Sequence, residues 1–219
     1  MTKKVLLSIL ILPIILFCLL VAINIHQTYT NIFRLKKGDV SAVLSSTPSK
    51  CDKIKDCPLL PGDILIRRYI TKNVWLANTV VRVFFTHVAL YLGNNQVVEA
   101  HGRENKPEDD IRVDSLSNSI WVQDDVKNWV ILRPKKNTDK IGQMVKHLSA
   151  IADDPEYIFG LPKIGHKKAM CADLILNELQ TQGIIPPVST VKIITPDYLF
   201  WNTVNTPNNF EIVGYSFEK

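Results

Sequence analysis

Residues 86–102 read THVALYLGNNQVVEAHG. Two apolar runs flank a Gly-Asn-Asn turn, so the stretch predicts a β-hairpin. Side chains alternate across a strand, which puts His87, Ala89 and Tyr91 on one face and Val97, Glu99 and His101 on one face of its partner. A two-residue loop at Asn94-Asn95 would pair Leu90 with Glu99 and turn the carboxylate away from His87. A three-residue loop, Gly93-Asn94-Asn95, pairs Ala89 with Glu99 and His87 with His101. Gly and Asn both accept the left-handed backbone that such a loop needs. In that register Glu99 lies diagonal to His87, roughly 7 Å away between backbones and within side-chain reach.

The elements around this hairpin are legible to different degrees. PGDILIRRY opens a strand near Pro61, and WVILR, 129–133, reads as a buried strand. Ile141, Met144, Val145 and Leu148 fall at helical spacing within 138–152. Ala172, Ile175, Leu176 and Leu179 do the same within 171–182, with Gly183 as the stop. IRVDSL is a short strand or turn, EIVGYS at 211–216 is a last strand, and NVWLANTVVRVFF at 73–85 fits a helix or a strand. Strands around packed helices without regular alternation predict an α+β fold.

Outward towards the amino terminus, residues 27–60 read as a linker carrying Cys51 and Cys57. Those two close a small disulfide loop in an oxidising compartment or remain surface thiols; spacing leaves both open. Residues 5–25, VLLSILILPIILFCLLVAINI, are apolar for 21 residues. At about 1.5 Å each they span about 31 Å, enough for a bilayer core. The run exceeds the apolar region of a signal peptide and lacks a small-residue cleavage site, so residues 1–26 are expected as an uncleaved transmembrane anchor. The remainder, residues 61–219, is expected as the globular domain. The chain has 26 basic and 21 acidic side chains. Six of the basic ones and Asp39 alone fall in the first 50 residues, which leaves 20 of each sign beyond. The positive excess flanks the apolar segment, so the expected partner is a membrane and not nucleic acid.

The chemistry centres on KAMCADLILNELQ, which places Cys171 where a helix begins. A thiolate there meets unpaired backbone N–H groups and the positive end of the helix dipole, and the same N–H groups can hold an oxyanion. His87 is the candidate base and Glu99 the carboxylate that orients it. Residue chemistry alone also allows a satisfied core histidine, a cysteine acting as a small hydrophobe and a glutamate in a structural ion pair. A metal site from His87, His101 and Cys171 has no supporting ligand spacing, so neither metal nor cofactor is expected.

The order PGDI, HVALYLG, VVEA, Tyr157, MCADLI and ITPDYL resembles the circularly permuted NlpC/P60 group of papain-like cysteine hydrolases, in particular its YiiX/YebB-like branch. Lecithin:retinol acyltransferase-like enzymes share the permuted layout, in which the histidine precedes the cysteine. The resemblance covers residues 60–200. It implies a papain-like fold with an antiparallel sheet packed on the helices, His87 as base, Glu99 as third residue and Cys171 as nucleophile. It departs from the pattern at Ile158, where an acidic residue is common, and at Ala172, where serine is. The implied activity is hydrolysis of amide or ester bonds, on peptide, peptidoglycan-fragment or lipid substrates at the cell envelope. A lipid-directed acyltransferase or deacylase, and an inactive binding module, are the alternatives.

Overall fold

The computed structural model describes residues 14–15, 17–19, 32–68, 83–101, 110–122, 127–135, 138–152, 154, 157–159, 167–187, 194–206 and 208–218. For His101, Asp110, 157–159 and 167–169 it describes the backbone only. The chain divides into two units, Met1–Ile32 and Phe33–Lys219. In the first, the five described residues are helical, and Ile14, Ile15, Phe17 and Leu19 are exposed. Among the described residues no helix is long and apolar enough to cross a membrane. Most of the expected anchor at 5–25 lies outside the described residues, as does most of 73–85.

The second unit is α+β. The hairpin is formed by β2 (His87–Gly93) and β3 (Gln96–His101). Its loop differs from the three-residue expectation. Gly93 faces Gln96 across a two-residue turn in which Asn94 and Asn95 have φ of 49° and 60°, and a bulge between Tyr91 and Gly93 then shifts the register. Beyond the bulge Tyr91 faces Val97 and Leu90 faces Val98. Carried one residue further, that register sets Ala89 against Glu99, as the longer loop would have done. The extra residue is accommodated in the strand instead of the turn, with Gly93 at φ 96° taking the backbone that a side chain would resist.

The hairpin sits within an eight-stranded sheet. It pairs through β1 (Ile64–Arg67) with β5 (Trp129–Pro134) and β8 (Phe210–Ser216) on one side. On the other it pairs with β4 (Asp110–Ser115), then β6 (Tyr157–Phe159) and β7 (Lys167–Ala169). The order is β7-β6-β4-β3-β2-β1-β5-β8. Among the described strands, each neighbouring pair from β6 across to β8 is antiparallel, and β6 and β7 pair in parallel.

Both faces of the central strands are covered, which is why ILI and VALYL are continuous apolar runs and not strict alternations. Ile64, Ile66, Val88, Leu90, Val98 and Ala100 pack in one core with residues of α1 (Lys37–Ser45), α2 (Thr138–Ile151), α3 (Cys171–Thr181) and α4 (Pro196–Val204). Leu65, Ala89, Val97 and Ile131 face a smaller core built on Trp121, Trp129, Leu116, Ile54 and the cysteine pair. Helix α3 buries the four residues that the spacing picked out, and Gly183 ends it at φ 62°. Losing one fully buried leucine such as Leu90 to alanine costs about 2–5 kcal/mol in such cores.

Residues 33–60 are part of this unit. Val40 (0% exposed) and Leu44 (2%) of α1 enter the main core, and Cys51 and Cys57 form a disulfide. The linker expectation is corrected for this stretch; residues 27–31 lie outside the described residues. The disulfide is pressed against β8, where a Cβ on Gly214 would lie 2.2 Å from Cys51 Sγ. The PGDI motif is structural as well. Gly62, at φ 94°, touches α2 so closely that a Cβ would sit 2.3 Å from Ile141 Cγ2. Asp63 is buried and takes a two-pronged ion pair from Arg133, Nε and Nη2 at 2.8 and 2.7 Å, plus the Leu60 N–H at 2.8 Å. This ties the start of β1 to β5 and strengthens the guanidinium's hold on its proton.

Candidate active site

His87 is the first residue of β2 and Cys171 the first of α3, and α3 packs against β2 and β3. Both side chains stand where their elements begin. Cys171 is a free thiol, 7% exposed, and its hydrogen-bonding and charge influence supports the proton on the imidazole. On the other side of the ring, His87 Nε2 lies 2.7 Å from Glu99 Oε2. With Nε2 engaged by the carboxylate, Nδ1 is the nitrogen left for the sulfur. His87, Glu99 and Cys171 thus act on one another around a single imidazole.

The electrostatics are a contest. Burial is the largest single influence on His87 and disfavours its charged form. The hydrogen bonds to Cys171 and Glu99, with the attraction of both as anions, outweigh it and raise the imidazole from 6.5 to about 9. The site therefore favours an imidazolium at neutral pH, the partner that a thiolate needs.

Glu99 is 1% exposed and its carboxylate is fully engaged. Trp121 Nε1 donates to the same Oε2 at 3.0 Å, and Arg112 Nη2 donates to Oε1 at 3.4 Å. Arg112 faces Glu99 directly across the β3–β4 ladder and also pairs with Asp114. The Trp121 ring stacks on the His87 ring at 5.4 Å between centroids and 24° between planes. Arg67 lies 5.2 Å from the Trp121 ring and donates to the Ile120 carbonyl, which pins the short 3-10 turn that presents the indole. Sequence reasoning missed Arg112, Trp121 and Arg67. Arg112 left a trace, an alternating charge in a strand destined to lie beside Glu99; Trp121 sits in an irregular segment with no periodic signal.

At the cysteine, Met170 is the N-cap, and the first helical bond runs from Leu174 N–H to the Met170 carbonyl. The N–H groups of Cys171, Ala172 and Asp173 precede that bond, so they belong to the set that a helix start leaves for other acceptors. Asp173 takes a backbone hydrogen bond from Met170, and burial raises its carboxyl, which softens its opposition to a neighbouring thiolate.

One further carboxylate shapes the site from behind. Asp197, in the ITPDYL segment, is fully buried at the start of α4. It accepts the backbone N–H groups of Leu35, Phe84 and Phe85 at 2.9, 2.8 and 2.6 Å. The last two lead straight into His87. Burial raises its carboxyl to about 6 against the lowering effect of those three donors and of Arg68. The side chains of His101 and Tyr157 lie outside the described residues. No protein-family model matches the chain, and no curated protein matches it.

Proposed function

We propose that this chain is a cysteine hydrolase acting on amide or ester bonds through an acyl-enzyme on Cys171, built on a papain-like, circularly permuted NlpC/P60 plan. What supports this reading above all is that Glu99 Oε2 meets the His87 imidazole at 2.7 Å while Cys171 supports the proton on the same ring, so that nucleophile, base and orienting carboxylate act through one imidazole. The thiolate of Cys171 attacks the substrate carbonyl carbon, forming a C–S bond and an oxyanion. Backbone N–H groups at the start of α3 receive that oxyanion. His87 gives its proton to the leaving amine or alcohol as the C–N or C–O bond breaks, leaving a thioester. A water then loses a proton to His87 and attacks the thioester, releasing the acid and restoring the thiol–imidazole pair. Glu99 stays an anion throughout; it orients the ring and stabilises the imidazolium.

The substrate class is an envelope peptide or peptidoglycan fragment, and the chain is tethered by residues 5–25 with its catalytic unit outside the cytoplasm. The apolar run and its flanking lysines and arginines support the tether, and the Cys51–Cys57 disulfide supports the side of the membrane. Intact-mass measurement after incubation with envelope peptides and, separately, with phospholipids tests the reading. An acyl adduct on Cys171 with the peptides, absent in Cys171→Ser, is expected. An adduct with phospholipid alone would assign a lipid substrate, and the absence of both would reduce the unit to a binding module.

A further inference from the structure

The hydrolase reading gives roles to Cys171, His87 and Glu99 and leaves Arg112 with none. In the reactive state the Cys171 thiolate and the His87 imidazolium balance one another. Glu99 is then an extra anion at a position with almost no solvent. An uncompensated buried charge is costly and tends to be neutralised by taking a proton. Arg112 brings a positive charge to Glu99 from the facing position on β4, its Nη2 3.4 Å from Oε1, while His87 and Trp121 meet Oε2.

We infer that Arg112 is a positioning residue for the cysteine–histidine pair: it holds the Glu99 carboxylate charged and in one orientation, and so eases the loss of the Cys171 proton. The inference rests on the hydrolase reading above. The charged groups that face Glu99 among the described residues are His87 from β2, Arg112 from β4 with Asp114 behind it, and Arg67 from β1 across the Trp121 ring. Cys171 on α3 connects through His87. Taking one cation out of this set raises the proton affinity of every group in it. A merely structural cross-strand pair would change stability and leave the pH dependence of the thiol in place.

The surroundings allow a direct test of charge. A cleft of about 280 Å³ is lined by Glu99, Arg112, Asp114, Ser115, Asn118 and Ser119, so the place of the Arg112 side chain is reachable by small cations.

The experiment follows the rate at which iodoacetamide alkylates Cys171 across pH in the full-length chain carrying Cys18→Ser, read by the mass of the Cys171 peptide. Arg112→Gln keeps a donor for Glu99 and removes the charge. Its profile is expected to move to higher pH by about half a unit or more, with a several-fold slower rate on the rising limb. Arg112→Lys keeps the charge without the fork and is expected between Arg112→Gln and the parent chain. Arg112→Ala is expected to move like Arg112→Gln and to return towards the parent on addition of millimolar guanidinium, which leaves the parent unchanged. An Arg112→Gln profile that coincides in position with the parent's overturns the inference, whatever its amplitude. A parent profile no different from that of His87→Asn overturns the hydrolase reading itself, and the inference with it.

Discussion

His87 carries two opposing demands, and the balance between them is measurable. Burial works against its charge, while Cys171 and Glu99 work for it and win, to about 9. Cys171→Ala removes one hydrogen bond and one anion and leaves burial in place, so the imidazole is expected to titrate lower in that variant by ¹⁵N NMR. An unchanged titration would mean that the thiol is not what raises it. The sign for stability follows. A folded-state value above 6.5 makes the His87 contribution complete below about 6.5 and lost as pH climbs through about 9, so Cys171→Ala narrows that window from its upper end. Glu99 is the second test at this scale. Glu99→Gln keeps the size and one acceptor but loses the charge that stabilises the imidazolium. Turnover is expected to fall roughly ten- to ten-thousand-fold with the circular dichroism unchanged, while His101→Gln costs much less. The reverse order of effects would move the third role to His101. His87, Glu99 and Cys171 were readable one residue at a time because each is a reactive type set in an apolar context. Trp121 was not, because an indole outside a periodic segment carries no sign of its target, and Arg112 showed only as an alternating charge in a short strand whose neighbour the spacing did not name.

At the scale of elements, Asp197 joins the segment before α1, the segment before β2 and the start of α4 through three buried N–H groups. Asp197→Ala strands all three. At about 1–3 kcal/mol for each buried donor left unsatisfied, a loss of at least about 3 kcal/mol in urea unfolding is expected. A loss below about 1 kcal/mol would show that the three donors find other acceptors. The disulfide and β8 form another such junction. A methyl at Gly214 would lie 2.2 Å from Cys51 Sγ and 3.4 Å from the Cys51 carbonyl, so Gly214→Ala must displace the loop or the strand. A cost of about 1–3 kcal/mol is expected. It should shrink in a chain that also carries Cys51→Ala and Cys57→Ala; an undiminished cost would locate the strain elsewhere. Elements with long periods, α2 and α3, were legible from spacing. Helix α1 was not, because its core-facing residues, Val40, Val43 and Leu44, span little more than one turn, and Gly38, Ser41 and Ser45 dilute the signal around them. The hairpin loop was misjudged in length because a turn plus a bulge and a longer turn lead to the same pairing.

For the whole molecule, the uneven charge is the governing feature: the excess of basic residues lies within the first 50, beside a 21-residue apolar run whose polar residues are Ser8 and Asn24, and the remainder is balanced. A chain anchored by residues 5–25 stays with the pellet when membranes are washed with carbonate, and recovery of the full-length protein mainly in the supernatant would sink the anchor. The sequence by itself determined which segments are strands and helices wherever burial imposes a period of 2 or 3.6, and which residue types stand at His87, Glu99 and Cys171. Those are local properties, set by the few residues on either side. Only the tertiary structure decided what completes the site. Arg112 reaches Glu99 across 13 residues of sequence, Trp121 across 22, and Asp197 holds Phe85 across 112. Such pairings depend on sheet order and register, and local periodicity encodes neither.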